Sequence, residues 1–168
     1  MKRVTVALLV AIAACGSAEP TARDAAIPAE ATGPYAVDRV VDGDTVRVDM
    51  PESVPVRLIG INTPETVDPR RPVECFGQEA SDRAHELLDG EDIYLEPDPT
   101  QGETDRFGRA LAYVWLPDGR LFNEEMIAEG YAYEYTYDLP YKYQARFDAA
   151  EAEARENERG LWAPGVCE

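Results

Sequence analysis

Apolar and polar positions alternate in short runs through the first third of the folded part of the chain, then shift to a helical period. Val37 to Val41 and Thr45 to Val48 are β-branched runs separated by Asp42-Gly43-Asp44, which predicts a hairpin. A second turn, Met50-Pro51-Glu52-Ser53, leads to a third strand over Val56-Arg57-Leu58-Ile59-Gly60-Ile61, and Pro64, Pro69 and Pro72 then mark a loop. From Gly77 the spacing changes: Ala80, Ala84, Leu87 and Leu88 fall on one face of a helix that Gly90 stops. Asp92 to Glu96 predicts a fourth strand ended by Pro97 and Pro99, and Arg109 to Leu116 a fifth ended by Pro117-Asp118-Gly119. Asn123 reads as the cap of a short helix with Glu124 and Glu125 in its first turn, favourable against the helix dipole. Tyr143 to Arg159 predicts a last helix with Phe147, Ala150 and Ala154 facing inward and Gly160 beyond it. Three strands, a helix, two strands and two helices describe a small α+β domain, and five short strands suit a closed or partly open barrel.

The N-terminal region follows a different pattern. Lys2 and Arg3 precede an apolar run from Val4 to Ala14, the length of a signal-peptide core and too short to span a bilayer. The run ends Ile12-Ala13-Ala14-Cys15-Gly16, which resembles a bacterial lipoprotein processing site with Cys15 as the lipidated residue. Ordinary secretory cleavage near Ala14 is the alternative. Residues 1–14 are therefore expected to be a leader and residues 15–34, rich in Ala, Pro, Thr and Glu, a solvated tether. Residues 35–168 are expected to form one folded domain without internal repeats. The expected location is extracytoplasmic, either anchored by lipid to the cell membrane or outer membrane, or secreted. With Cys15 committed to lipid, Cys75 and Cys167 remain as an even pair in an oxidising compartment, and a disulfide is expected, two unpaired thiols being the alternative.

Composition narrows the chemistry. The single histidine, His85, rules out a zinc site with two imidazoles and is read as a surface residue of the first helix. The cysteines form no C-x-x-C pair, and the chain has no Gly-x-x-x-x-Gly-Lys-Ser/Thr phosphate loop. Carboxylates are abundant: 33 Asp and Glu stand against 16 Lys and Arg, for a formal net charge of -17. Carboxylates, arginines and a hard cation are what remain for catalysis.

Three segments carry candidate chemistry. Asp42-Gly43-Asp44-Thr45 alone is an ordinary turn. Arg57-Leu58-Ile59-Gly60-Ile61-Asn62-Thr63-Pro64-Glu65 places an arginine inside an apolar strand with Asn, Thr and Glu after it. Asp105-Arg106-Phe107-Gly108-Arg109-Ala110-Leu111-Ala112-Tyr113 flanks a Phe-Gly pair with arginines. In this order and at these intervals they resemble the staphylococcal nuclease (thermonuclease) family, over about Ala36 to Trp162, with Gly77-Gln78-Glu79-Ala80, Asn123-Glu124 and Gly160-Leu161-Trp162 as supporting matches. The resemblance implies a five-stranded oligonucleotide/oligosaccharide-binding (OB-fold) barrel with three helices, and calcium-dependent cleavage of DNA and RNA phosphodiesters. It implies Asp44, Asn62 and the carbonyl of Thr63 as calcium ligands, Glu65 as the general base, and Arg57 and Arg109 on the phosphate. It also implies Arg106 near the substrate phosphate, and Tyr135 or Tyr137 against the nucleotide.

Physical chemistry supports those roles. Guanidinium forks match the developing charge of a phosphodiester under attack, and a carboxylate can take the proton of the attacking water. Asp44 and Glu65 alone would repel a phosphate, so the cluster makes sense only with a divalent cation, and its oxygen donors are those calcium prefers. Two positions depart from the best-known members: Asn62 replaces an aspartate, which predicts weaker metal binding or a shifted metal preference, and Phe107 replaces a tyrosine. The overall acidity repels a polyanion, although about 8 Å of screening at physiological salt confines that effect. The expected protein is an extracytoplasmic nuclease, monomeric, with a noncatalytic binding or scaffold module as the alternative.

Overall fold

The computed structural model describes residues 26–50 and 53–167. The expected leader, Cys15, most of the tether and the middle of the 50–53 turn lie outside the described residues. Strand β1 (Thr32–Asp42) is followed by β2 (Thr45–Val48), β3 (Val54–Leu58) and a two-residue strand β4 (Ile61–Asn62). Helix α1 (Gly77–Leu88) leads to β5 (Asp92–Glu96) and β6 (Ala110–Trp115), and then to helix α2 (Phe122–Ala128). A short β7 (Tyr133–Glu134), helix α3 (Gln144–Glu156) and a 3-10 turn at Gly160–Trp162 complete the fold.

Five strands close a barrel in the order β1-β2-β3-β6-β5, with β3 and β6 parallel and the other neighbours antiparallel. With α1, α2 and α3 this is the expected α+β OB-fold. Strand β1 serves both sides of the seam: Thr32 to Ala36 pair with β5, and Val37 to Asp42 pair with β2, with register shifts along the way. Such irregularities bend a strand and let one element close a barrel. Thr32 pairs with Leu95, and Glu30 lies 3.2 Å from Lys142, so the folded part begins before Tyr35.

The alternation of the strands dictates the interior. Val46, Val48, Val56, Leu58, Ile93 and Val114 are buried, and burying each such side chain stabilises the fold by about 1.5–3 kcal/mol. Arg47 and Arg57 occupy the intervening, outward positions of β2 and β3. On α1, Ala80, Ala84 and Leu88 repeat every four residues and are fully buried, as the spacing predicted. Phe147 of α3 is buried against Tyr113, edge to face at 6.2 Å, while Ala150 is only partly buried.

Two expectations are corrected. The third strand does not run from Val56 to Ile61: it ends at Leu58, and the chain turns at Gly60 before β4 pairs with β7. The carbonyl of Gly60 accepts from Tyr135 N (3.0 Å) and from the Tyr141 hydroxyl (3.3 Å), partners from a distant part of the chain. Asn123 does not cap α2. It is buried, takes a hydrogen bond from Val114 N (2.9 Å) and donates to Ile59 O (2.9 Å), tying the helix to β6 and to the turn that follows β3.

The C-terminal segment docks through backbone. Leu161 N donates to Gly130 O at 2.9 Å, and Trp162 packs edge to face on Tyr133 and under Arg155. Gly130 and Gly160 meet so closely that a Cβ on either would lie 2.3 Å from the other loop's carbonyl oxygen. Beyond this contact the structure bonds Cys167 to Cys75, 92 residues apart in sequence.

Candidate active site

The β1–β2 turn, the end of β4, the loop after it and the approach to β6 converge on one open cleft of about 730 Å³. Its walls include Asp42, Asp44, Arg57, Asn62, Thr63, Glu65, Arg106, Arg109, Tyr135 and Tyr137. Every candidate catalytic, metal and substrate residue from the sequence is on that wall; Cys75 and Cys167 are away from it, and His85 pairs with Asp89 on α1.

Asp44 is the hub. Its Oδ2 accepts from Thr63 N at 3.0 Å and faces Arg57 Nη2 at 3.1 Å, and its Oδ1 accepts from Thr45 Oγ1 at 3.0 Å. The turn at Gly60 makes this possible, because it swings Asn62 and Thr63 back toward the β1–β2 hairpin. Gly43 lets them arrive: a Cβ there would meet the Thr63 side chain at 2.6 Å.

Arg57 projects from β3 into this cluster. Nη1 donates to Leu58 O (2.9 Å) and Nη2 to Asn62 Oδ1 (3.3 Å), so the guanidinium is fixed in plane before any substrate arrives. Arg109 is held similarly. Its Nε donates to Asp105 Oδ2 (2.7 Å) and its Nη1 reaches Thr45 Oγ1 (3.3 Å). Burial opposes ionisation of Asp105, but the backbone N–H and guanidinium of Arg109 outweigh it and hold the carboxyl below the usual range. Arg106 has no carboxylate partner among the described residues, and it stacks 4.7 Å over the Phe107 ring, with Arg109 at 5.6 Å from the same ring. Arg70 and Arg71, by contrast, are engaged by Asp68 and Glu74.

Glu65 follows Pro64 at the start of the loop. Its Oε1 accepts from Val67 N (2.7 Å) and Asp68 N (3.1 Å), and no hydrogen bond from the described residues reaches Oε2. Its backbone is clasped by Glu74: Glu65 N donates to Glu74 Oε2 (3.1 Å) and Glu74 N donates to Glu65 O (2.9 Å).

The electrostatics favour a cation. Burial, reinforced by the neighbouring charge of Asp44, pushes the Asp42 carboxyl up to about 7, although Arg57 works in the other direction. Two acids share this half-buried place with the Arg57 guanidinium. Among the described residues no group of three or more His, Cys, Asp and Glu converges on one point. The donors at hand are Asp44, the Asn62 amide oxygen and the Thr63 carbonyl, with Asp42 behind them. An all-oxygen set of low charge fits a hard divalent ion that keeps some of its water.

Asp42, Asp105, Phe107 and Glu74 enter the site without having been assigned roles from the sequence. The tyrosine-rich stretch separates in space. Tyr141 and Tyr143 pack toward the core, whereas Tyr135 and Tyr137 flank the cleft with ring centroids 6.4 Å apart. Tyr137 and Phe107 are each 70% exposed.

The arrangement has known counterparts. Residues 55–164 match the model of the staphylococcal nuclease homologue family. The chain is 37% identical to a thermonuclease of Staphylococcus hyicus over 171 residues, covering 97% of this chain and 99% of that one. It is 40% identical to a thermonuclease of Staphylococcus intermedius over 129 residues, 76% of this chain and 75% of that one. Over the same length it is 38% identical to the SPbeta prophage-derived endonuclease YokF of Bacillus subtilis, of which it covers 43%. With the family match over residues 55–164 and 37% identity to a thermonuclease across nearly the whole of both chains, the chain belongs to the staphylococcal nuclease family.

Proposed function

We propose that this protein is a calcium-dependent nuclease that hydrolyses phosphodiester bonds of DNA or RNA outside the cytoplasm, held to a membrane by lipid on Cys15. The observation that carries the reading is the convergence of Glu65, Arg57, Arg109 and Asp44 on one cleft from three separate segments of the chain. A noncatalytic scaffold of the same fold has no need of all four together.

In this reading the substrate phosphate sits between Arg57 and Arg109. Both forks are held by their own partners, so little reorganisation accompanies binding. Glu65 Oε2, left open while Oε1 is tied to the loop, orients a water and accepts its proton as the water oxygen bonds to phosphorus. The bond from phosphorus to the departing sugar oxygen breaks, that oxygen leaves with the bonding pair and takes a proton from solvent water, and the arginines carry the charge that accumulates on the nonbridging oxygens. Calcium, held by Asp44, Asn62 and the Thr63 carbonyl, would supply the positive charge that lets an anion enter beside these acids. Arg106, on the cleft wall and without a carboxylate partner among the described residues, supplies a further contact to the backbone, and Tyr135 or Tyr137 a stacking face for a base.

Digestion of DNA and RNA with calcium or with chelator, alongside Glu65→Gln, tests this. Cleavage is expected only with metal, and Glu65→Gln is expected to lower the rate by about a hundredfold or more. Binding without cleavage under every divalent metal would establish the scaffold reading instead.

A further inference from the structure

The loop that carries Glu65 has almost no core to hold it. Between Thr66 and Val73 it forms neither helix nor strand, and Val67, Pro69, Arg70, Arg71, Pro72 and Val73 face solvent. Its ends are fastened by the reciprocal pair between Glu65 and Glu74, at 3.1 Å and 2.9 Å. One residue beyond this clasp, Cys75 is bonded to Cys167, and Gly77 N donates to Glu74 O at 3.0 Å as α1 begins. The far end of the disulfide belongs to the segment docked on Gly130 and Tyr133. A covalent line therefore runs from a fixed part of the molecule to the neighbour of the residue that grips the Glu65 peptide.

We propose that the Cys75–Cys167 bond and Glu74 act together as positioning residues for Glu65: the disulfide fixes Glu74, and Glu74 fixes the peptide from which the Glu65 carboxylate projects. The inference rests on the nuclease reading for its effect on rate, but not for its effect on the loop. Glu74 itself has a second support, since Arg71 pairs with its Oε1 while Oε2 holds the Glu65 N–H. Without the bond, Cys75 is an exposed loop residue, and the clasp is left to two hydrogen bonds at the edge of solvent. Such bonds open readily when nothing behind them is anchored. A general base displaced by even an ångström loses much of its effect, because the proton it takes must lie within hydrogen-bond reach.

The full-length chain and two variants decide the matter: the double variant Cys75→Ser/Cys167→Ser, and Glu74→Ala with the disulfide intact. Mass mapping without reductant first establishes the bond in the unmodified protein. Amide hydrogen exchange is then compared for residues 65–74 and for strands β2 and β3, and kcat and KM are measured on an oligonucleotide with calcium. Both variants are expected to speed exchange at the Glu65 and Glu74 amides about tenfold or more while β2 and β3 keep their protection. Both are expected to lower kcat by about tenfold to a hundredfold with KM little changed. Unchanged loop exchange in the double variant overturns the proposal, as does equal loss of protection in loop and barrel, which would make the bond a global staple only. Faster loop exchange with unchanged kcat overturns the positioning role. If the unmodified protein cleaves nothing, the nuclease reading fails, and the exchange comparison still decides whether the bond braces the loop.

Discussion

Two groups of acids lie at different places on the barrel, and they are treated differently. At the β5 end, Glu96 is 0% exposed and Asp98 2% exposed. Glu96 accepts from Trp115 Nε1 (2.7 Å) and the Tyr143 hydroxyl (2.9 Å) and pairs with Lys142 Nζ (2.5 Å). Asp98 accepts from Tyr113 OH, Lys142 N and both polar groups of Thr100, at 2.8–2.9 Å. Burial would raise the Asp98 pKa, but the Lys142 and Thr100 amides and the two hydroxyls outweigh it and hold the carboxyl below its ordinary value. At the cleft, Asp44 is 7% exposed and has donors too, yet Asp42 beside it is pushed up to about 7. Several donors and Lys142 surround the first group, whereas in the second Arg57 pairs with Asp44 and Asp42 accepts from Asp44 N while burial and its neighbour's charge raise it. A carboxyl raised by burial beside a second acid is a common mark of functional sites, which agrees with the place of this pair on the cleft wall.

Breaking the satisfied group should produce the largest change. Glu96→Ala leaves Trp115 Nε1 and the Tyr143 hydroxyl without their acceptor, while Lys142 keeps Glu30, and a loss of about 3 kcal/mol in unfolding free energy is expected by urea denaturation. Activity per folded molecule should hold. Arg57→Lys should do the reverse. Losing the planar fork while keeping the charge should lower kcat/KM by about a hundredfold, with a melting temperature near that of the parent, measured on the same preparations.

The pH response sharpens the contrast. Asp98 has a folded pKa below its unfolded one, so it stabilises the fold above the ordinary carboxylate range, and that contribution is lost as pH falls through the folded value. Melting curves taken below about pH 5 should therefore drop more steeply in the parent than in Asp98→Asn. The smallest change is expected from Asn62→Asp, which adds one formal charge to the candidate metal ligands. Calcium titration should show tighter binding by about tenfold, and no gain would mean that Asn62 is not a ligand.

Much of the barrel was legible because it is written locally. The spacing of Ala80, Ala84 and Leu88 and the stop at Gly90 mark α1, and Asp92 to Glu96 between a glycine and a proline marks β5. The candidate residues of the cleft were legible through the three segments and their resemblance to one family. What escaped is set by contacts between distant residues. An apolar run from Val56 to Ile61 gives no hint that Tyr135 and Tyr141 will capture the Gly60 carbonyl and split it. Asn123 looks like a cap until Val114 and Ile59 come within its reach. Six tyrosines between Tyr131 and Tyr143 look alike in sequence, and only the path of the chain separates those beside the cleft from those in the core. Glu74 carried no sequence signal beyond its place before Cys75.

The meeting of Gly130 and Gly160 sets how much room the tail has. Two bare backbones lie flush, like the faces of a joint with no gasket, and one methyl group at either would force them apart. The displaced part would be the stretch ending in Cys167, whose partner neighbours the loop bearing Glu65. A change as small as alanine for glycine, made outside the cleft, would thus be transmitted along a covalent thread to the loop that carries Glu65.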